Sequence, residues 1–285
     1  MSAAVPSTSF AGFITSFIRK NRLEEAVPPT LRGARKFPYG AFFFEFLASK
    51  GCPYEIQASA NLKLWETVAK GVSSSECTEF IDSEAPRFKY RFYRVNSGVL
   101  SSTNVVGFAT VYAPPGFSLI ANPFESSAEF IGLILPNMPE GTALHKFSST
   151  QHKMVETKFS KGRWSNPMEK FVAGEGGLFF NPTSETFSLQ FCGEVAQGHL
   201  LNPVPAGFSI RSSLVPMAGQ INTDLEFPLT EGDSIQIFDR EKQEYITYDY
   251  PSKKWEIDPP IVGVGEAFWV EKSSPANWVR NFRLG

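Results

Sequence analysis

"PPGFSLIANP" at residues 114–123 returns in altered form as "PAGFSIRSSL" at 205–214. Sliding the chain by 91 positions sets Gly116 on Gly207, Phe117 on Phe208 and Ser118 on Ser209. The register then runs on without a gap. Glu140-Gly141 meets Glu231-Gly232, Phe147 meets Phe238, Trp164 meets Trp255, Gly174-Glu175 meets Gly265-Glu266, and Phe191 meets Phe282. Only 11 of 78 positions are identical, but they concentrate on Gly, Phe and Trp, the residues that fix turns and cores. The sequence therefore reads as an internal duplication, 105–195 and 196–285.

Each copy is a run of short strands. "TALHKFS" and "DSIQIFD" alternate apolar and polar residues, as do "MVETKFS" and "YITYDYP", and Gly or Pro punctuates the gaps. Residues 37–104 form a different small β-sandwich, with "FFFEFLA", "YEIQASA", "KLWETVA", "TEFIDS" and "KYRFYRV" as strands. In the last of these, Tyr90, Phe92 and Val95 are expected to face inward, with a bulge near Tyr93. About 60 residues make a marginal core, so this unit is expected to lean on a neighbour. The expected fold is all-β, with tandem antiparallel sandwich or small-barrel units behind a short N-terminal helix or tail.

Composition agrees. The 285 residues include 27 Phe, 8 Tyr and 5 Trp, with 22 Gly and 21 Pro spread along the chain. Aromatic residues suit pleated sheets, and scattered Pro and Gly keep helices short. A formal net charge of −2 gives no basic excess for nucleic acid. No run of 18 apolar residues marks a membrane span.

Residues 1–36 read as a tail. Phe10, Phe13, Ile14, Phe17 and Ile18 fall on one face of a helix. Arg19, Lys20 and Arg22 follow, then the Pro28-Pro29 linker. A face this apolar must pack on its own chain, on another subunit or on a membrane. Contact between subunits is the expectation, with membrane association through the tail the less favoured course.

The stretch "YEIQASANLKLWETVAKG…TEFIDSEAPRFKYRFYRV" resembles a module of secreted and surface proteins of the Verrucomicrobia and related bacteria, carried by Ala58, Ser59, Asn61, Leu62, Trp65, Phe80, Asp82 and Phe92 to Val95. The duplicated part resembles repeats that follow that module. The resemblance spans about 37–285. It implies β-domains and an extracellular or cell-surface setting, and it supplies no catalytic residues. Relatives usually begin with a secretion signal. Here the apolar stretch precedes the basic residues, the reverse of a signal peptide.

No catalytic constellation emerges. His145, His152 and His199 are scattered, and the offset sets His145 on Gln236 and His152 on Gln243. Glu175 and Glu266 recur in both copies. They are expected to accept backbone N–H bonds in Gly turns rather than to act as acid and base. Cys52, Cys77 and Cys192 contain no CxxC pair, so no metal or other cofactor is expected. Cys52 and Cys77 either pair or stay free. Trp65, Trp164 and Trp255 recur once per unit. They are expected in cores, with glycan stacking by Trp164 and Trp255 as the alternative. The expected function is a non-enzymatic, self-assembling bacterial surface or extracellular subunit that contacts copies of itself. The alternative is a carbohydrate-binding or adhesion module taking a surface glycan.

Overall fold

The computed structural model describes residues 27–125, 129–252 and 254–284. The apolar tail positions Phe10, Phe13, Ile14, Phe17 and Ile18 lie outside the described residues.

The first unit is a sandwich. Strands β1 (Thr30–Lys36), β2 (Phe42–Leu47) and β5 (Cys77–Asp82) form one sheet in the order β1-β2-β5. Strands β3 (Pro53–Ser59), β4 (Glu66–Val72), β6 (Tyr90–Ser97) and β8 (Val106–Ala113) oppose it in the order β4-β3-β6-β8, and β7 (Leu100–Ser101) folds back on β6. Three strands facing four in this order is an immunoglobulin-like pairing. Phe42, Phe44 and Phe46 alternate into the core against Ile56, Tyr93, Val95 and Phe108. Phe43 points the other way, and the Arg35 guanidinium covers its ring at 3.8 Å.

The four-stranded sheet does not stop at β8. Strand β14 (Phe187–Glu194) pairs along the whole of β8, from Phe187↔Ala113 to Glu194↔Val106. The boundary placed at 104/105 therefore falls between two strands of one sheet. This arrangement also corrects the reading of "KYRFYRV". Phe92, Tyr93 and Val95 are all buried, and β6 pairs with β3 from Tyr54↔Ser97 to Ser59↔Phe92 without a shift. A central strand covered on both faces buries consecutive residues, so no bulge is needed. The bulge lies instead between β3 and β4, at Ile56/Gln57.

The second unit uses β8 and β14 as one wall. The other wall is a five-stranded sheet in the order β12-β11-β10-β13-β9. Its strands are β9 (Gly116–Ile120), β10 (Ala143–Ser148), β11 (Lys153–Ser160), β12 (Arg163–Trp164) and β13 (Gly177–Asn181). A single helical turn, α1 (Ile131–Ile134), closes one end over Trp164. The third unit has β15 (Gly198–Val204), β16 (Gly207–Arg211), β17 (Gly219–Gln220), β18 (Asp233–Asp239), β19 (Glu244–Tyr250), β20 (Ile261–Val262), β21 (Phe268–Lys272) and β22 (Ala276–Phe282). They form a β16-β21-β18-β19 sheet, a β15-β22 pair and a short β17-β20 pair. All pairings are antiparallel, and no sheet among the described residues closes into a barrel.

The offset of 91 carries over ladder by ladder. Gly116↔Asn181 becomes Gly207↔Lys272, Ala143↔Phe180 becomes Ser234↔Glu271, and Ala143↔Lys158 becomes Ser234↔Asp249. Gly116 and Gly207 both take positive φ, at 88° and 76°, which the Pro-to-strand turn requires. The closing strand breaks the rule. Ala109 pairs with Phe191, but Leu200, its counterpart, pairs with Arg280 rather than Phe282. A slip of two residues keeps every side chain on its own face, so the core tolerates it. Trp278 of the closing strand lies in the third core. Its indole N–H donates to Leu225 O at 2.8 Å, as Trp164 donates to Leu135 O at 2.8 Å in the second unit.

Candidate functional site: the seam between the repeats

The sequence-predicted site residues do not come together. Trp164 is 2% exposed and its indole N–H is satisfied, so it has no face to offer a sugar. Trp255 is half-buried, edge-on to Tyr248 and Tyr250, and its ring nitrogen is buried without a partner. Burial removes Trp164 from the glycan-stacking pair, while Trp255 keeps part of its surface exposed. His145 lies 3.7 Å from Glu156, His199 shares a 2.8 Å hydrogen bond with Asn281, and His152 occupies a turn at φ 50°. The three cysteines are free. Among the described residues no group of three His, Cys, Asp or Glu is placed to hold a metal.

The motif residues of the first unit hold its fold. Ser59 Oγ accepts from Leu62 N at 2.9 Å, and Asn61 Oδ1 accepts from Lys63 N and Leu64 N. Asp82 receives Arg91 at 2.8 Å and the Tyr93 hydroxyl at 2.6 Å. Burial, reinforced by the Asp82 carboxylate, raises the Tyr93 pKa well above the usual phenol range. A cleft of about 600 Å³ lies between the first two units, lined in part by Arg32, Asn122, Glu125 and Glu194. Arg32 pairs with Glu45, Glu129 pairs with Lys170, and Glu125 and Glu194 exchange backbone hydrogen bonds.

The duplicated glutamates lie where the repeats meet. Ile120 bridges Glu266, and Arg211 bridges Glu175, which is the same contact with the copies exchanged. Ala121 N donates to Gly265 O at 2.9 Å, and Ser212 N donates to Gly174 O at 3.1 Å. One apolar cluster gathers residues together with their repeat counterparts: Leu119 and Ile210, Phe147 and Phe238, Leu178 and Trp269. Two equivalent surfaces meeting reciprocally is the arrangement of a two-fold dimer, here within one chain. Close approach depends on glycine. A Cβ on Gly265 would sit 2.4 Å from Val111 Cγ2, and one on Gly174 would sit 2.8 Å from Asn202 Nδ2. Glu175 is held by Lys146 at 2.8 Å, and Glu266 pairs with Arg240 at 3.3 Å and accepts from Gly263 N at 2.9 Å. The backbone acceptor role expected for the glutamates therefore describes Glu266, and Glu175 is an ion-pair partner. Arg211, half-buried at the seam, has its pKa lowered by desolvation, with Glu175 acting against that shift.

The symmetry fails at the two ends. At one end the β18–β19 turn clamps onto β9. Gln243 Oε1 accepts from Phe117 N at 2.6 Å, and its amide nitrogen donates to Phe117 O at 2.9 Å. Arg240 donates to Tyr112 O and Leu119 O. Asp239 Oδ1 shapes that turn by accepting from Glu241 N and Lys242 N, and these backbone bonds hold its carboxyl below the usual range. At the other end Ser149 and His152 stand in place of Arg240 and Gln243, and no such clamp forms among the described residues. There a concave patch of about 300 Å³ is lined by Phe147, Phe208, Gln236, Tyr245 and Trp269. Sequence reasoning missed this patch because its rings come from both repeats at non-equivalent positions. The signal that could have found it is the mismatch of His152 with Gln243.

No family model matches this sequence, and no curated protein matches it.

Proposed function

We propose that this chain is a non-enzymatic structural protein: a self-assembling bacterial surface or extracellular subunit whose N-terminal segment makes subunit contacts. The observation that carries this reading is the reciprocal seam. The repeated unit already binds its own copy through a strand edge and an apolar face, as subunits of an assembly do. The resemblance to secreted repeat proteins supports the surface setting. Phe10, Phe13, Ile14, Phe17 and Ile18 supply an apolar face on a segment that precedes the first sheet. Light scattering on the full chain and on a variant lacking residues 1–26 tests the proposal. Oligomers are expected for the full chain and folded monomers for the truncated one. Unchanged oligomer size with lowered thermal stability would mean that the segment packs on its own subunit. Loss of liposome binding with oligomers intact would make it a membrane contact.

A further inference from the structure

The geometry points to the open end of the seam as a binding site for a neutral saccharide, with a pyranose ring stacked on Trp269 and Phe208. This inference stands apart from the assembly reading, although Phe147 and Trp269 also belong to the seam.

The walls are aromatic. Phe147 meets Trp269 edge-on at 5.1 Å, and Phe208 meets Trp269 edge-on at 6.4 Å. Trp269 donates its indole N–H to the Tyr245 hydroxyl at 3.2 Å, which fixes the two rings relative to each other. Unlike the buried Trp164 and Trp278, these rings remain accessible: Phe208 is 44% exposed and Tyr245 is 42% exposed. Exposed aromatic residues gathered into a concave patch, rather than scattered singly, mark a binding surface.

The chemistry of the ligand follows from the rest of the lining. No charged side chain lines the patch, so it offers no ion pair to a charged ligand. Its polar groups are the Gln236 amide and the Tyr245 hydroxyl. The backbone adds a donor and an acceptor. Phe117 turns its N–H and C=O away from β13, and Gln243 takes both. Phe208 occupies the same register on β16, so it presents the same pair away from β21, and no side chain among the described residues takes it. The space is also free. A Cβ on Gly116 would strike Gln243 Oε1 at 2.5 Å, whereas one on Gly207 meets nothing within 4 Å. An unmet N–H and C=O on one residue suits a group that accepts and donates side by side. Neighbouring ring hydroxyls do this, while the C–H face of the same ring stacks on the indole. A peptide strand would also pair with this backbone at the β16 edge, so the 1–26 peptide is the arm of the test that separates the two occupants.

The test is isothermal titration of the full chain with cellohexaose, laminarihexaose, mannohexaose and xylohexaose, with oligogalacturonate as the charged control and a peptide of residues 1–26 as the competitor class. Binding of at least one neutral oligosaccharide is expected, with a loss of about tenfold on Phe208→Ala and on Tyr245→Ala. Both sites are exposed enough for folded variants, which circular dichroism checks. Trp269→Phe, which keeps a ring but removes the N–H, is expected to weaken binding less than Phe208→Ala. The inference is overturned if no neutral oligosaccharide binds. It is also overturned if binding is the same in Phe208→Ala and Tyr245→Ala, if oligogalacturonate binds as well as the neutral sugars, or if only the 1–26 peptide binds.

Discussion

Adding one methyl group at Gly265 tests how tightly the repeats are joined. Gly265 has φ 77°, and a Cβ there would lie 2.4 Å from Cγ2 of the buried Val111. An L-residue in this left-handed region costs about 1–2 kcal/mol. Overpacking a filled contact adds about 1–3 kcal/mol. Gly265→Ala is therefore expected to lose about 2–5 kcal/mol. Gly207→Ala is the control. Its φ is 76°, yet its Cβ would meet nothing within 4 Å, so only the backbone cost of about 1–2 kcal/mol applies. Both variants gain the same restriction of the unfolded chain, which cancels in the comparison. Urea unfolding followed by tryptophan fluorescence measures the difference, expected at about 1–3 kcal/mol. Val111→Ala removes the methyl that is struck. Combined with Gly265→Ala, it should show a favourable coupling of about 0.5–3 kcal/mol. Equal losses at Gly265 and Gly207, with additive effects in the double variant, would refute a tightly packed seam.

Other perturbations have equally definite outcomes. Trp278→Phe leaves the buried Leu225 carbonyl without its donor and should cost about 1–3 kcal/mol in thermal unfolding, whereas Trp255→Phe, whose ring nitrogen has no partner to lose, should cost less than about 0.5 kcal/mol. Lys272 is fully buried against Asp233, so Lys272→Met should cost about 3–5 kcal/mol. Restoring the second unit's uncharged pair, Thr142 and Asn181, as Asp233→Thr with Lys272→Asn should recover much of that. Burial pushes the Asp233 pKa up, but Lys272, Ser273 N and Thr230 outweigh it and leave the pKa below the ordinary 3.8. The stability from this pair is thus complete above the unfolded carboxyl's pKa and is lost as pH falls through the lower folded value. Acid titration of unfolding should show that loss in the wild type and not in the Thr/Asn double variant. Burial also pushes the Cys192 thiol up to about 12, so a maleimide at pH 7 should label Cys192 only after unfolding. Prompt labelling in the native state would contradict its packing against the first core.

Much of this architecture is legible in the sequence, because alternation and turn residues act locally. The period-two runs around Leu144 and Ile235 became β10 and β18, and the offset of 91 transferred their ladders without change. Three features were not legible, each for a physical reason. The strand Val106–Ala113 carries no mark of serving two cores, since a strand buried on both faces loses its alternation. The Phe191/Phe282 match was misleading because a two-residue slip preserves facing, so Arg280 can occupy a place that sequence spacing gives to Phe282. The aromatic patch depends on Phe147 from one repeat and Trp269 from the other meeting across a fold-generated symmetry, and no local pattern encodes that. The duplicated glutamates were noticed for their recurrence, but their role at a junction required knowing that the copies face each other.

Strand β8 has a mechanical consequence. Val106 and Phe108 point into the first core, and Ala109, Val111 and Ala113 point into the second, so one strand serves as a wall common to two rooms. Neighbouring domains usually meet at a flexible tether, and bending occurs there. Here the joint is a ladder running from Phe187↔Ala113 to Glu194↔Val106, and a bend between the first two units would have to break it. Tension applied along the molecule would pass through hydrogen-bonded backbone rather than through a slack connector. Any fibre or layer built from such subunits would owe its stiffness to strands shared across units, and its compliance would be confined to the contacts between one molecule and the next.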